Sequence, residues 1–316
     1  MAVSGKEFAE EFLQNVSKVI IGKERTIRLL LTALVADGHV LLEDVPGTGK
    51  TKLAKTLAKT IAVNFSRIQF TPDLLPSDIT GLNVFDRQKN QFVLRKGPVF
   101  ANILLADEIN RATPRTQAGL LECMEERQVT IDGVSYEAGN PFFVIATQNP
   151  VETSGTFPLP EAQMDRFIMR LSMGQPSREE ELSILERYME KDPLESLGSV
   201  YTAKDLERAR ESANQIFVHP CVMEYMVDLV GATRRQENVS MGVSPRGTLA
   251  LLRCAKAYAF LAGRTFVIPD DVRDLAVPVL AHRMVLGYGG AGVSSSQEIV
   301  EKLIQSLPVP TEDFSS

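Results

Sequence analysis

The segment from Glu43 to Thr51, with the sequence EDVPGTGKT, constrains the fold of this chain more than any other. An apolar run precedes it, and apolar residues recur at every fourth position after it, at Leu53, Leu57 and Ile61. This pattern predicts a buried strand, a glycine-rich turn and an amphipathic helix. Such a turn binds phosphate, because its N–H groups and the positive end of the helix attract an anion.

The residue types in this segment suit a nucleotide carrying Mg²⁺. Lys50 supplies a positive charge for the β- and γ-phosphates, and the Thr51 hydroxyl is a suitable Mg²⁺ ligand. Gly47 and Gly49 allow backbone conformations and a close approach that a Cβ would hinder. We therefore predict a nucleotide-binding loop formed by Asp44, Val45, Pro46, Gly47, Thr48, Gly49, Lys50 and Thr51.

Asp44 departs from the usual template of such loops, GxxxxGK[ST], which has a glycine at this position. Aspartate tolerates unusual backbone conformations better than most residues. Its charge, however, is expected near the mouth of an anion site. The alternative interpretation is a flexible loop that merely leads into a helix. The strand before the loop and the helix after it favour the nucleotide site.

Two acids, Asp107 and Glu108, end a second apolar run that begins at Ile103. Apolar runs of this kind are typical of strands buried on both faces of a parallel sheet, and open α/β sheets bind ligands at the carboxyl ends of their strands. We assign Asp107 to Mg²⁺, held directly or through a water, and Glu108 to the general base that activates the attacking water. The alternative is an acidic pair that only begins a loop, and the order of the two motifs favours catalysis.

The remaining patterns predict two domains. Residues 1–174 form an α/β unit with two β-hairpins, one with its tip at Asp86 to Asn90 and one turning at Asp132-Gly133. From Gly174 onward capping boxes and amphipathic stripes predict helices, so residues 175–316 form a smaller helical domain. One such helix opens at Ser244-Pro245-Arg246 and presents Leu249, Leu252, Ala255 and Ala259 on one face. We expect the Gly/Ser-rich stretch from Gly287 to Ser296 to be flexible.

Spacing alone does not decide the role of three further sites. The turn at Ile20, Ile21 and Gly22 is as consistent with packing as with contact to a nucleotide base. Asn149, which precedes a proline at the end of an apolar run, is more often a turn residue than a ligand. A lone arginine such as Arg166 is by default a surface ion-pair residue.

Composition excludes some classes of protein. No apolar run approaches the roughly 18 residues of a membrane span, and the N-terminus lacks the layout of a signal peptide. The three cysteines are scattered without metal-ligand spacing, which suggests a reducing compartment and predicts a cytoplasmic location. The net charge of −6 does not suit a protein that mainly binds nucleic acid.

The order and spacing of these motifs resemble those of AAA+ ATPases, and specifically of the MoxR family. The resemblance runs from Ile21-Gly22 to His282-Arg283 and covers nearly the whole chain. It matches the following segments to the family's motifs: Glu43 to Thr51 to Walker A, Ile103 to Glu108 to Walker B, Ala146 to Pro150 to sensor 1, Leu159 to Phe167 to the arginine-finger segment, Val243 to Arg246 to sensor 2, and the two hairpins to the helix-2 and pre-sensor-1 inserts.

The resemblance implies a fold and further residue roles. The fold would be that of an AAA+ P-loop NTPase, with a parallel sheet flanked by helices and a smaller all-α lid. Ile21 and Gly22 would lie beside the base of the nucleotide. Asn149 would position the attacking water, and Arg166 would act as a finger on the ATP of a neighbouring subunit. Arg246 would contact the γ-phosphate of its own subunit from the lid.

The resemblance also implies a function. It suggests an ATP hydrolase using Mg²⁺ in a ring, expected to be a hexamer. The ring would remodel or mature client proteins in a chaperone-like way, including metal or cofactor insertion, with partners bearing a von Willebrand factor A domain. One alternative is a nucleic-acid motor, for which the first hairpin offers Arg87, Lys89, Arg95 and Lys96. Another is an ATP-gated binding module with little turnover.

Overall fold

The computed structural model describes residues 4–151, 155–189, 191–287 and 295–310. The helices are α1 Gly5–Ser17, α2 Glu24–Val35, α3 Lys50–Thr60, α4 Pro76–Thr80, α5 Pro114–Glu126, α6 Glu161–Met164, α7 Arg178–Tyr188, α8 Pro193–Ser196, α9 Ala203–Asn214, α10 Pro220–Thr233, α11 Pro245–Leu261, α12 Pro269–Leu280 and α13 Ser296–Ser306. The strands are β1 His39–Glu43, β2 Phe65–Gln69, β3 Gly81–Asp86, β4 Gln91–Lys96, β5 Ile103–Asp107, β6 Gln128–Ile131, β7 Val134–Glu137, β8 Phe143–Gln148, β9 Phe167–Leu171, β10 Val239–Met241 and β11 Val285–Leu286.

A parallel five-stranded sheet, in the order β2-β5-β8-β1-β9, lies at the centre. Its apolar strands are covered on both faces. Val40 and Leu42 point to a cluster formed with α1, α2 and α3, whereas Leu41 points to a second cluster formed with α5. The alternation follows from the two-residue period of a strand. All carboxyl ends of the strands therefore meet at one edge, where the loops after β1, β5 and β8 begin.

The two predicted hairpins are confirmed. β3 pairs with β4, and β6 pairs with β7, both antiparallel. The turn of the second hairpin has Asp132 at φ 50° and Gly133 at φ 81°, the positive values that a tight hairpin turn requires. The side chains of Asn83 and Asp132 are hydrogen-bonded at 2.8 Å, so the two hairpins contact one another.

The rest of the chain is mainly helical, as predicted. The capping box of α7 at Ser177 is present, and Ser244 is the N-cap residue of α11. An antiparallel pair of short strands, β10 and β11, was not predicted. The apolar face predicted for α11 is wrong in part, because Leu249 is 60% exposed whereas Ala250, Leu251 and Cys254 are buried.

The structure has the predicted fold class, a parallel sheet flanked by helices and followed by a mostly helical region. The boundary near residue 174 stays a prediction, because α1 and α2 share one hydrophobic cluster with the later helices. The expected flexible stretch from Gly287 to Ser296 falls largely outside the described residues. In the described part of the chain no helix combines the length and apolar character that a membrane crossing needs.

Candidate nucleotide-binding site

The glycine-rich loop opens onto a cavity of about 410 Å³ at the carboxyl edge of the sheet, and the acids at the end of β5 form its opposite wall. Gly47 and Gly49 have φ values of 89° and 86°, and no atom lies within 4 Å of the position that a Cβ would take at either. The lining residues are Pro46, Gly47, Gly49, Lys50, Thr51, Lys52, Arg67, Gln69, Asp107 and Glu108. The structure thus brings the predicted loop and the predicted acids into one cavity.

Lys50, the first residue of α3, spans the loop from inside. Its Nζ donates to the backbone oxygens of Asp44 at 2.9 Å and Val45 at 3.3 Å. The ammonium group is therefore held over the loop at the start of a helix, where the backbone N–H groups of α3 lack partners within the helix. A phosphate that entered this cradle would meet both the N–H groups and the lysine charge.

Asp44 does not present its charge to this cavity. Its carboxylate is 6% exposed and accepts hydrogen bonds from the Ser172 hydroxyl at 2.6 Å and from the N–H groups of Met173 at 2.7 Å and Gly174 at 3.0 Å. The expectation of an anion near the mouth of the phosphate site is therefore wrong. Asp44 instead joins the loop to the segment after β9. Val45 does not line the cavity either.

Asp107 is nearly buried and both of its oxygens are occupied. Oδ1 accepts from the Thr147 hydroxyl at 2.7 Å, and Oδ2 accepts from Nε and Nη2 of Arg67 at 3.1 and 2.6 Å. Thr147 comes from the neighbouring strand β8. The carboxylate is thus fixed in orientation by two strands of the sheet.

Glu108 follows in the left-handed backbone region, at φ 56°, which is uncommon for a residue other than glycine. Its N–H donates to the Thr147 hydroxyl at 2.8 Å, which holds this turn. Its Oε2 accepts from Gln69 at 2.7 Å and from Arg111 at 3.1 Å. The side chain therefore lies at the cavity wall, where it accepts hydrogen bonds from a neutral amide and a cationic guanidinium.

The donor set of the cavity suits Mg²⁺. Thr51 and Asp107 offer a hydroxyl and a carboxylate, the hard oxygen ligands that Mg²⁺ prefers, and this ion usually completes its shell with water and substrate phosphates. The described residues contain no group of three His, Cys, Asp or Glu side chains arranged for a metal. Binding of Mg²⁺ here would thus depend on the phosphates of a nucleotide.

A second cavity, of about 330 Å³, adjoins the first and shares Gly47, Gly49 and Lys52 with it. Its walls are mostly apolar, as a nucleotide base requires. Ile20 and Ile21 lie in one wall, and the loop residue Thr48 also contributes. The sequence reasoning missed the opposite wall, formed by Met173, Pro176, Ile184 and Tyr188. No spacing pattern indicates these residues, because they are about 150 positions from the turn they face.

Gly22 packs against this opposite wall. A Cβ at this position would lie 1.8 Å from Oε1 of Glu180, and the backbone has φ 69°. The residue therefore allows a close approach to α7, and the Lys23–Glu180 ion pair at 3.4 Å strengthens the same contact.

Asn149 follows β8, the strand that lies between β5 and β1. It is 9% exposed, and its side-chain oxygen accepts from the N–H of Val151 at 3.2 Å. The local turn that the sequence favoured is therefore present. The same residue nevertheless stands at the sheet edge between the acids and the phosphate loop.

Arg166 and Arg246 lie together at the opposite edge of the sheet. Both line a cavity of about 160 Å³ that also includes Gly38 and His39, at the start of β1. The phosphate loop begins four residues later along β1, a distance of about 13 Å at 3.3 Å per residue.

The guanidinium groups of these two arginines are held by nearby residues. Arg166 donates to the backbone oxygen of Leu121 at 2.6 Å. Arg246 forms an ion pair with Glu125 at 2.8 Å and approaches Asp165 at 4.0 Å. Arg246, near the start of α11, is thus directed toward Glu125 of α5 in this structure, and its contact with the phosphates of its own subunit stays a prediction.

Together, the loop, the acid pair and the helical region define an AAA+ ATPase fold. Residues 39–169 match the model of the ATPase family associated with various cellular activities (AAA), and residues 231–303 match the AAA lid domain. The chain belongs to the MoxR family of AAA+ ATPases, because it is 42% identical over 311 residues to the chaperone MoxR1 of Mycobacterium tuberculosis, covering 95% of this chain and 82% of the relative.

Other relatives agree. The chain is 46% identical to the uncharacterized protein YeaC of Bacillus subtilis, over 95% of this chain and 94% of YeaC. It is 30% identical to the protein MoxR of Methylorubrum extorquens, over 98% and 97% of the two chains. A crystal structure of a candidate ATPase from Cytophaga hutchinsonii superposes with a TM-score of 0.90 at 39% identity, covering 97% of this chain and 96% of the other.

Proposed function

We propose that this chain hydrolyses ATP with Mg²⁺ at a site shared by two copies of the chain. The observation that carries the proposal is the single cavity in which Lys50 and Thr51 face Asp107 and Glu108. One wall offers an anion cradle, and the other offers a metal ligand and a base. This pairing is what transfer of a phosphoryl group to water requires.

Each residue has a distinct task in this mechanism. Lys50 and the N–H groups of the loop hold the β- and γ-phosphates, and Thr51 and Asp107 would hold Mg²⁺, which supplies charge neutralisation on the phosphate oxygens when bound. Glu108 leaves its contacts with Gln69 and Arg111 and takes a proton from the attacking water. Asn149 orients that water.

The neighbouring copy supplies the remaining positive charge. Because Arg166 and Arg246 line a cavity at the start of β1, whereas the loop follows the end of that strand, we propose that both reach the γ-phosphate held by the adjacent subunit. An arginine supplied in this way is typically worth about 10³ to 10⁵ in rate. Such a head-to-tail contact closes into a ring when the rotation between neighbouring subunits is cyclic, and we propose a hexamer.

We propose a chaperone-like role in remodelling or maturing other proteins, including metal or cofactor insertion. It is supported by the relative MoxR1, whose name describes it as a chaperone. Clients bearing a von Willebrand factor A domain and a cytoplasmic location remain predictions from the sequence.

Replacing the proposed base tests the hydrolase directly. We expect Glu108→Gln to bind ATP with an affinity close to that of the unmodified chain and to lose turnover by about 10² or more, because general-base catalysis contributes about 10² to 10⁴. ATP binding is measured by fluorescence with a mant nucleotide, and turnover by phosphate release. Glu126→Gln, an exposed acid at the end of α5, is the matched control.

Unchanged turnover in Glu108→Gln would refute the role of this residue. Absence of turnover in the unmodified chain, with ATP bound, would favour the gated binding module instead.

A nucleic-acid motor is the second candidate, favoured by one observation. The side chains of Arg87, Lys89, Arg95 and Lys96 are exposed on the first hairpin. Salt-sensitive stimulation of the ATPase by single-stranded DNA would support this alternative. The net charge of −6 opposes it.

A further inference from the structure

Arg67 reaches the proposed metal ligand from the neighbouring strand. It lies in β2 opposite Leu105, so Arg67 and Gln69 project on the same side as Leu105 and Asp107. Its guanidinium lines the phosphate cavity. Both Nε and Nη2 donate to Oδ2 of Asp107, at 3.1 and 2.6 Å.

This contact fills one of the two oxygens that Asp107 offers to a metal. The Oδ1 atom of Asp107 already accepts from the Thr147 hydroxyl, and Oδ2 accepts two N–H groups of Arg67. A carboxylate oxygen has about two lone-pair sites. Mg²⁺ binds its ligands at about 2.0–2.1 Å and carries two positive charges, so it cannot share Oδ2 with a guanidinium at hydrogen-bond distance.

The ion pair is placed so that it can be displaced. The side chain of Arg67 is 46% exposed and that of Asp107 is 12% exposed. An ion pair with one partner this open to water is weak. Nη2 of Arg67 also donates to Oε1 of Gln69 at 2.8 Å, so the guanidinium has a second acceptor beside Asp107.

We infer that Arg67 is an internal counter-ion of Asp107 that Mg²⁺ displaces when it enters with the nucleotide. This inference rests on the proposed function and adds a positioning residue to it. Without metal, Arg67 neutralises Asp107 beside Glu108 and reduces the repulsion between the two acids. With metal, the guanidinium leaves Oδ2. Arg67 thereby sets the concentration of Mg²⁺ at which the site takes up the ion.

A titration of Mg²⁺ tests this role without measuring turnover. The chain is stripped of metal with EDTA and moved into metal-free buffer, mant-ADP is bound, and Mg²⁺ is then added while fluorescence is followed. The half-point is the Mg²⁺ concentration that gives half of the fluorescence change. Because Arg67→Gln removes the competitor, we expect its half-point to fall by about threefold to tenfold relative to the unmodified chain. Arg67→Lys, which keeps the charge but not the paired N–H groups, should give a value between those of Arg67→Gln and the unmodified chain.

Two controls sharpen the result. Arg87→Gln removes an exposed arginine at the tip of the first hairpin and should leave the half-point unchanged. Electron paramagnetic resonance of Mn²⁺ with ADP measures the metal directly, and Arg67→Gln should bind Mn²⁺ more tightly by the same factor.

A half-point in Arg67→Gln that is unchanged or higher would overturn the inference, provided that mant-ADP still binds. Failure of the unmodified chain to bind mant-ADP, with or without Mg²⁺, would instead refute the nucleotide site itself.

Discussion

At the scale of a single residue, the buried carboxylate of Asp44 acts as a hydrogen-bond acceptor. It accepts hydrogen bonds from one hydroxyl and two N–H groups of residues 172–174, which lie between β9 and α7. Met173 and Pro176, which line the apolar cavity, lie in or beside this segment. Asp44 therefore links the phosphate loop to the wall of the proposed base site.

Substitutions at Asp44 should reveal this link. Asp44→Ala leaves the N–H groups of Met173 and Gly174 without an acceptor, so we expect a loss of about 2–4 kcal/mol in the free energy of unfolding. Asp44→Gly, which restores the glycine of the common template, should cost at least as much, and Asp44→Asn should cost less. Urea unfolding measures stability, and mant-ADP binding measures the site. Equal stability of the Gly variant and the unmodified chain would contradict this account.

At the scale of elements, His39 ties together β1, β8 and α5. Its Nδ1 accepts from the N–H of Val144 at 3.0 Å, and its Nε2 donates to the backbone oxygen of Met124 at 3.0 Å. Both nitrogens are therefore used by the neutral ring. Burial, helped by the charge of Arg127, lowers the pKa of His39 to about 4.

This histidine predicts a pH dependence of stability. The unfolded chain takes up a proton below a pKa of about 6.5, whereas the folded chain does so only near 4. The contribution of His39 is therefore complete above pH 6.5 and is lost as the pH falls toward 4, by about 3 kcal/mol in total.

We expect His39→Asn to flatten the dependence of the unfolding free energy on pH by about 1.4 kcal/mol per pH unit between pH 4.5 and 6. Urea unfolding at several pH values measures this slope. Identical slopes for the two chains would show that His39 is protonated equally easily in both states.

At the scale of the whole molecule, the two edges of the sheet carry complementary halves of the proposed site. The phosphate loop and the acids lie at the carboxyl edge, and Arg166 and Arg246 share a cavity at the amino edge. Within one chain the sheet separates these halves, so in the conformation described one chain does not join them. Two chains in a head-to-tail contact can.

Mixing of variants tests this arrangement. Lys50→Ala and Arg166→Ala should each hydrolyse ATP poorly alone, and an equal mixture should recover up to about a quarter of the activity of the unmodified ring, because random assembly leaves that share of interfaces intact. Lys50→Ala with Arg246→Ala should behave in the same way. Phosphate release measures activity, and sedimentation confirms assembly.

A mixture of Arg166→Ala with Arg246→Ala distinguishes the two placements of Arg246. If both arginines serve the neighbouring site from one subunit, no interface in this mixture is complete and activity stays low. Recovery would indicate instead that Arg246 acts on the nucleotide of its own chain.

The sequence by itself determined the features that depend on chemistry within a few residues. The glycines of the phosphate loop, the Asp132-Gly133 turn and the helix start at Ser177 follow from local backbone preferences and hydrogen bonds. The apolar strand that ends at Asp107 and the one that precedes Asn149 were also readable, because buried parallel strands are continuous apolar runs.

Only the tertiary structure decided the contacts between distant segments. The partners of Asp44 lie about 130 residues away, the second wall of the apolar cavity comes from α7, and Arg246 faces α5 and not its own phosphate loop. The exposure of Leu249 depends on how α11 packs against its neighbours. A sequence pattern indicates which conformation each element prefers locally. The direction in which its side chains point depends on how the element packs against the whole core.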